Sequence, residues 1–179
     1  MIESRRFILR DFTAADEAAF RAYWGAAGPG AAETDPAVDA DGLVDRFRDW
    51  AREEPRTNRQ LAVVRRRDGA YVGCAGLRGA GWPPRVAELG LEIVPAFRGR
   101  YGYAVEIAAA LLAFGFGPLG LRDVVGVTTP GNRAANRLAA WFGGVPNPSS
   151  GDGRAIWRIG AEGLSGRTGT GRPPLTRGR

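Results

Sequence analysis

Apolar and polar residues change period several times along the chain, and each change marks an element. Arg5 to Phe12 alternates as a half-buried strand does. Ala15, Ala19, Tyr23 and Phe20, Trp24 then recur at helical spacing until Gly28-Pro29-Gly30 ends the pattern. Thr13 stands at the cap position of this helix, with Asp16 three residues on to reach back. Leu43, Val44, Phe47, Trp50 and Ala51 repeat the helical spacing. Leu61 to Arg66 and Tyr71 to Leu77 are β-prone and flank an Asp-Gly turn, which predicts an antiparallel hairpin. Val86 to Val94 reads as the next strand. The apolar run Ile107 to Phe114 is too long for a typical strand and far short of the ~20 residues that span a bilayer. Asp123 to Thr128 is a β-branched strand, Gly131 to Phe142 a short helix and Ala155 to Ile159 a final strand.

This order, β-α-α-β-β-β-loop-α-β-α-β, predicts an α/β domain over residues 1–160 with a mixed, mostly antiparallel sheet flanked by helices. Strand, tight loop, helix and strand around the central glycines make a right-handed crossover, so two strands run parallel. Residues 161–179 carry glycine, serine, threonine, proline and four arginines, and are expected to form a disordered tail.

Composition narrows the chemistry. The chain holds no His and no Lys; all 25 basic residues are Arg, against 19 Asp and Glu, a net charge of +6. Histidine acid–base catalysis and histidine-ligated metal sites are excluded, so no metal is expected. The single Cys74 excludes an internal disulfide or a Cys-rich zinc site. No secretory leader is visible, which predicts a cytoplasmic enzyme without a membrane segment. The positive charge favours an anionic partner, either nucleic acid or a phosphate-bearing coenzyme. No helix-turn-helix pattern or RNA-binding aromatic motif accompanies the scattered arginines, which disfavours nucleic acid or a ribosome.

The chain is organised around Val94-Pro95-Ala96-Phe97-Arg98-Gly99-Arg100-Tyr101-Gly102-Tyr103-Ala104-Val105-Glu106, the loop between a strand and the apolar helix. The first amides of a helix lack internal partners and carry the positive end of its dipole. With glycines admitting close approach, such a turn can hold a phosphate or pyrophosphate. The alternative is a plain strand–helix connection.

The segment Ala87-Glu88-Leu89-Gly90-Leu91, a Pro-x-aromatic, and then Arg-Gly-Arg with Gly-Tyr-Ala-x-Glu resemble the GNAT N-acetyltransferases, especially the branch that acetylates ribosomal-protein N-termini. The likeness covers roughly residues 2–160. It implies an acyl-CoA-binding fold and acetyl-CoA (coenzyme A) as donor. The acceptor it implies is a primary amine of a small molecule or peptide, attacking directly without an acyl-enzyme. A homodimer stays open. Arg98, Gly99, Arg100, Tyr101, Gly102, Tyr103 and Ala104 match the pyrophosphate loop, with Tyr101 as an insertion. The backbones of Leu91, Ile93 and Val94 match the strand end that pairs with the pantetheine arm. In Gly131-Asn132-Arg133-Ala134-Ala135-Asn136, Asn132 matches a residue that contacts that arm, and Asn136 lies in the same segment. Asn132 is equally placed to cap its helix. Ala135 and Ala139 replace the Ser and Tyr of many relatives, which leaves water or Tyr103 to protonate the departing thiolate. Failing both, the protein binds acyl-CoA with little turnover.

Gly90 points to a bulge or a close approach within the strand. Glu88 and Glu92, four positions apart, fall on one face of a regular strand. Carboxylates on a central strand are costly unless paired, exposed or functional. Each is a candidate base for the acceptor's ammonium, Glu88 first because it matches the family segment. Each otherwise pairs with an arginine or faces solvent. Glu33, Asp35, Asp39 and Asp41 lie in an acidic stretch of a basic chain. In the family this stretch edges the acceptor cleft. Glu33 and Asp35 are the candidate acceptor-binding pair, and Asp39 or Asp41 the candidate helix cap.

Overall fold

The computed structural model describes residues 1–27, 39–100, 102–147 and 153–162. Its strands are β1 (Ile2–Glu3), β2 (Phe7–Arg10), β3 (Asn58–Arg65), β4 (Tyr71–Arg78), β5 (Val86–Ile93), β6 (Asp123–Thr128), β7 (Val145–Asn147) and β8 (Ala155–Gly160). Its α-helices are α1 (Ala14–Ala27), α2 (Ala40–Arg52), α3 (Tyr103–Phe116) and α4 (Arg133–Trp141), with a 3₁₀ turn at Pro95–Phe97. The strands form one sheet in the order β1-β2-β3-β4-β5-β6-β8-β7, antiparallel at every pairing except β5 with β6. That is the expected mixed, mostly antiparallel architecture, with β1 and β7 added at the edges.

Alternation along the strands feeds two cores. On one face Phe7, Leu9, Val63, Val72, Ala75, Leu77 and Val124 pack with Ile107, Leu111 and Leu112 of α3. Burying each such side chain contributes about 2 kcal/mol, which explains why an apolar run of this length becomes a buried helix. On the other face Phe20 and Trp24 of α1, Leu43, Val44 and Phe47 of α2, and Cys74 of β4 form the second core.

The helix starts follow local chemistry. Asp16 accepts from the Thr13 amide at 2.9 Å, the reach-back half of a capping box, while the Thr13 hydroxyl donates to Asp16 instead of capping an amide. Asp39 caps α2 by accepting from the Gly42 amide at 2.8 Å, and Asp41 pairs with Arg21. Two of the four acids in the acidic stretch are thus committed to structure. Glu33, Asp35, Tyr101 and the tail beyond residue 162 lie outside the described residues.

Of the two readings of Gly90, a bulge or a close approach, the bulge is corrected. β5 carries no bulge: its register against β4 runs unbroken from Gly73↔Ile93 to Arg78↔Glu88, and the irregularity sits between β3 and β4 at Val63/Val64. Gly90 instead makes room for a side chain. A Cβ there would meet the Arg78 guanidinium at 2.8–3.0 Å.

Candidate active site

The parallel pair that centres the sheet comes apart. β5 and β6 are in register only at Val86↔Asp123, Ala87↔Val124 and Glu88↔Val125. Beyond Val125, β6 continues against β8, and beyond Glu88, β5 pairs among the described residues with β4 alone. In an antiparallel ladder, residues alternate between bonding the partner strand and pointing away from it. The Val94 amide donates to the Val72 carbonyl at 2.9 Å, which places Glu92, Gly90 and Glu88 on the β4 side. Leu89, Leu91 and Ile93 therefore turn their backbone groups toward the opening. The Arg85 carbonyl, in the same phase, accepts from the Arg122 and Asp123 amides where β6 is still present.

Leu91 and Ile93 thus present main-chain groups to a slot between diverging strands, while the Val94 amide is already used. The Ile93 carbonyl is partly covered by Arg98, whose Nε donates to it at 2.7 Å. Across the opening, the Thr128 hydroxyl oxygen at the end of β6 is buried with no hydrogen-bond partner among the described residues. A buried hydroxyl left this way is costly unless a ligand or water completes it.

The loop that follows β5 leads through the 3₁₀ turn into α3. Gly99 and Gly102 hold φ of +69° and +66°, left-handed conformations that L side chains rarely adopt. Gly102 caps α3 with no side-chain hydrogen bond, so among the described residues no capping group covers the first turn. Arg98 and Arg100 are exposed. The base of the loop is fixed from below. Glu106 accepts from the Arg6 amide at 2.7 Å, the Ser4 hydroxyl at 2.8 Å and the Arg6 Nε at 2.5 Å.

Glu88 and Glu92 share a face but have different partners. Arg78 pairs with Glu88 at 2.6 Å. Glu92 is half-buried and accepts from the Tyr23 hydroxyl of α1 at 2.6 Å. Tyr23 in turn accepts from Arg98 Nη2 at 2.8 Å. Burial raises Glu92 above the ordinary carboxylate value, although Tyr23 and Arg98 oppose the shift. Burial first, and then Glu92, pushes Tyr23 up to about 12. Beside Glu92 on β4 lies its register partner Cys74, buried and likewise pushed up to about 12 by burial and by Glu92. Such a thiol stays protonated and is no nucleophile.

The remaining predicted residues are spread more widely. Tyr103 packs edge-on against Phe7 of β2, with the Arg6 guanidinium 4.7 Å from its ring centroid. Arg65 of β3 holds its phenol below the usual tyrosine value. β2 and β3 lie on the far side of β5 from the opening, so the structure does not bring Tyr103 together with Glu92. Asn132 caps α4 through the Ala135 amide at 3.1 Å. Asn136 donates to the carbonyls of Thr129 and Pro130 and accepts from Trp157 Nε1 at 2.7 Å, which commits its amide to structure. Tyr23 and Thr128 join the site without having been singled out. Tyr23 sits in phase with Ala15 and Ala19 and reads as core; its polar tip at the helix end was the available signal.

The model of the acetyltransferase (GNAT) domain matches residues 6–145. The uncharacterised N-acetyltransferase YoaA of Bacillus subtilis (strain 168) is 33% identical over 81 residues, 45% of each chain, so the match spans less than half of that relative. Among solved structures, spermidine N-acetyltransferase from Vibrio cholerae in complex with CoA and spermine aligns at a TM-score of 0.73 and 17% identity, covering 90% of this chain and 99% of that one. A putative ribosomal-protein-serine acetyltransferase from Vibrio cholerae aligns at 0.67 and 20%, covering 89% and 96%. At these identities the structural likeness is one of fold.

Proposed function

The chain belongs to the GNAT acetyltransferase domain family, and on that premise we propose that it is an acetyl-CoA-dependent N-acetyltransferase acting on a primary amine in the cytoplasm. The observation that carries the reading is the coincidence of two features on β5. Its unpaired backbone faces a slot, and a half-buried carboxylate, Glu92, stands at the same end of the strand.

The residues present fit the coenzyme. Leu91 and Ile93 offer strand-like donors and acceptors for a pantetheine arm, and the buried Thr128 hydroxyl at the end of β6 lacks a partner among the described residues. Gly99, Gly102 and Ala104 leave the start of α3 accessible to a pyrophosphate, with Arg98 and Arg100 supplying charge. Asn132 retains its side-chain NH₂ beyond the cap it makes. Bound there, acetyl-CoA supplies a thioester whose carbonyl carbon an amine can attack.

Glu92 is the base we assign. Its environment favours taking up a proton, and Tyr23 fixes the orientation of its carboxylate. Glu88, held by Arg78, is a structural charge. Tyr103, which packs between β2 and the loop, receives no role in proton transfer. Ala135 and Ala139 leave α4 without a side-chain acid, so water meets that need. Glu33 and Asp35 remain the residues proposed to attract the acceptor, a small amine or a peptide N-terminus.

The test is a mass-spectrometric screen of primary amines with acetyl-CoA and the purified protein. Acetylated product with stoichiometric CoA release supports the reading. Acetyl-CoA binding without acceptor-dependent CoA release would instead make this an acyl-CoA-binding member of the family.

A further inference from the structure

Arg98 has three contacts at once. Its Nε donates to the Ile93 carbonyl at 2.7 Å, its Nη2 donates to the Tyr23 hydroxyl at 2.8 Å, and its guanidinium carbon lies 5.9 Å from the Tyr23 ring centroid. The Tyr23 hydroxyl in turn donates a hydrogen bond to the Glu92 carboxylate at 2.6 Å. An arginine of the glycine loop is thereby joined to a carboxylate of β5 through one hydroxyl borne on α1. We propose that Tyr23 is a positioning residue that couples the base to the cofactor loop, so that filling the loop and protonating Glu92 are thermodynamically linked. This rests on the reading of Arg98 as part of the cofactor site.

The coupling follows from what Tyr23 can bond. Its single oxygen accepts from a cation and donates to an anion, and each bond polarises the other. Among the described residues, the titratable groups facing Glu92 are Tyr23 from α1, Arg98 from the loop, and Cys74 and Tyr71 from β4. Burial raises Tyr71 and Cys74 so that both stay neutral, and Arg98 is the one cation in the group. A pyrophosphate that draws Arg98 toward itself withdraws that charge from Tyr23. The Tyr23 hydroxyl then donates more weakly to Glu92, whose carboxylate becomes more basic. An amine arriving after the coenzyme meets a stronger base than one arriving before it. By reciprocity the coenzyme binds more tightly once Glu92 is protonated.

Calorimetry of the full chain with coenzyme A, in two buffers of different ionisation heat at one mildly acidic pH, counts the protons exchanged on binding. Subtracting the count for Glu92→Gln removes protons exchanged by the coenzyme's own phosphates. Losing a nearby opposite charge moves a carboxylate by about one pH unit. Midway between the two values this is an uptake of about half a proton. The expected result is that difference in the wild-type background and less than about a tenth of a proton when both proteins also carry Tyr23→Phe. Phe keeps the ring, so α1 stays packed. An undiminished difference in the Tyr23→Phe background would overturn the inference, since the charge would then act through space. So would no difference in wild type. Absence of binding by every form would take down the cofactor reading and this inference together. Full turnover by Glu92→Gln would take down only the base assignment, leaving the proton count to judge the coupling.

Discussion

Arg78 lies across Gly90 and donates to Glu88 at 2.6 Å. This one contact separates two carboxylates that otherwise share a strand, a face and a four-residue spacing. Both members of the pair are about a quarter exposed, so the ion pair is worth about 1 kcal/mol. A methyl group at position 90 must displace the guanidinium, which is the free end of a flexible side chain. Gly90→Ala is therefore expected to fold, lose roughly 1 kcal/mol and release Glu88. A double-mutant cycle with Arg78→Met and Glu88→Gln reads the coupling directly. An unchanged coupling energy in the Gly90→Ala background would mean the glycine serves something else.

Gly102 is the second glycine whose conformation matters. At φ +66°, with the Arg6 guanidinium 3.6 Å from where a Cβ would sit, it resists substitution through backbone strain and through the bulk placed at the start of α3. Gly102→Val should weaken acetyl-CoA binding at least ~10-fold while leaving the core intact. Calorimetry showing wild-type affinity would rule out this loop as the pyrophosphate site.

Acid stability should depend on Glu106. Burial favours its neutral form, but the Arg6 amide, the Ser4 hydroxyl and the Arg6 guanidinium outweigh that and hold it below its ordinary value of 4.5. A folded-state value lower than the unfolded one stabilises the protein above pH 4.5, and that stability drains away as pH falls through the folded value. Glu106→Gln should cost roughly 2 kcal/mol near neutrality and flatten the decline at acid pH. Denaturant midpoints measured across pH check both parts; parallel curves for mutant and wild type would contradict them.

Local chemistry made much of this fold readable. Asp68-Gly69 announced the β3–β4 hairpin, and the β-branched run Asp123 to Thr128 gave β6 to the residue. β1 and β7 were not legible because two and three residues carry no period. The site was harder for a physical reason. Which glutamate is paired depends on Arg78, a cross-strand neighbour, and Tyr23 finds Glu92 69 positions away. Family resemblance favoured Glu88, yet nothing local to Ala87-Glu88-Leu89 distinguishes it from Glu92. The alternation that frees Leu91 and occupies the Val94 amide likewise requires knowing where β6 leaves.

Neutralising Glu33 and Asp35 should raise the KM of a cationic acceptor severalfold and leave that of acetyl-CoA unchanged. The effect should shrink with added salt, since exposed charges are screened beyond about 10 Å at 0.1 M. Equal acceptor KM values for Glu33→Gln/Asp35→Asn and wild type at low salt would remove this stretch from acceptor recognition.

The most direct test of the central claim is the pH dependence of acceptor-dependent CoA release by wild type, Glu92→Gln and Glu88→Gln. Glu92, raised by burial, should give wild type an acidic limb above the ordinary carboxylate range, because the base must be ionised to accept a proton. Glu92→Gln should lose ~10²-fold or more in kcat and lose that limb, with acetyl-CoA affinity kept or raised by up to about tenfold, while Glu88→Gln keeps both the rate and the limb. Wild-type rates from Glu92→Gln across the pH range, or the loss falling on Glu88→Gln instead, would contradict the account.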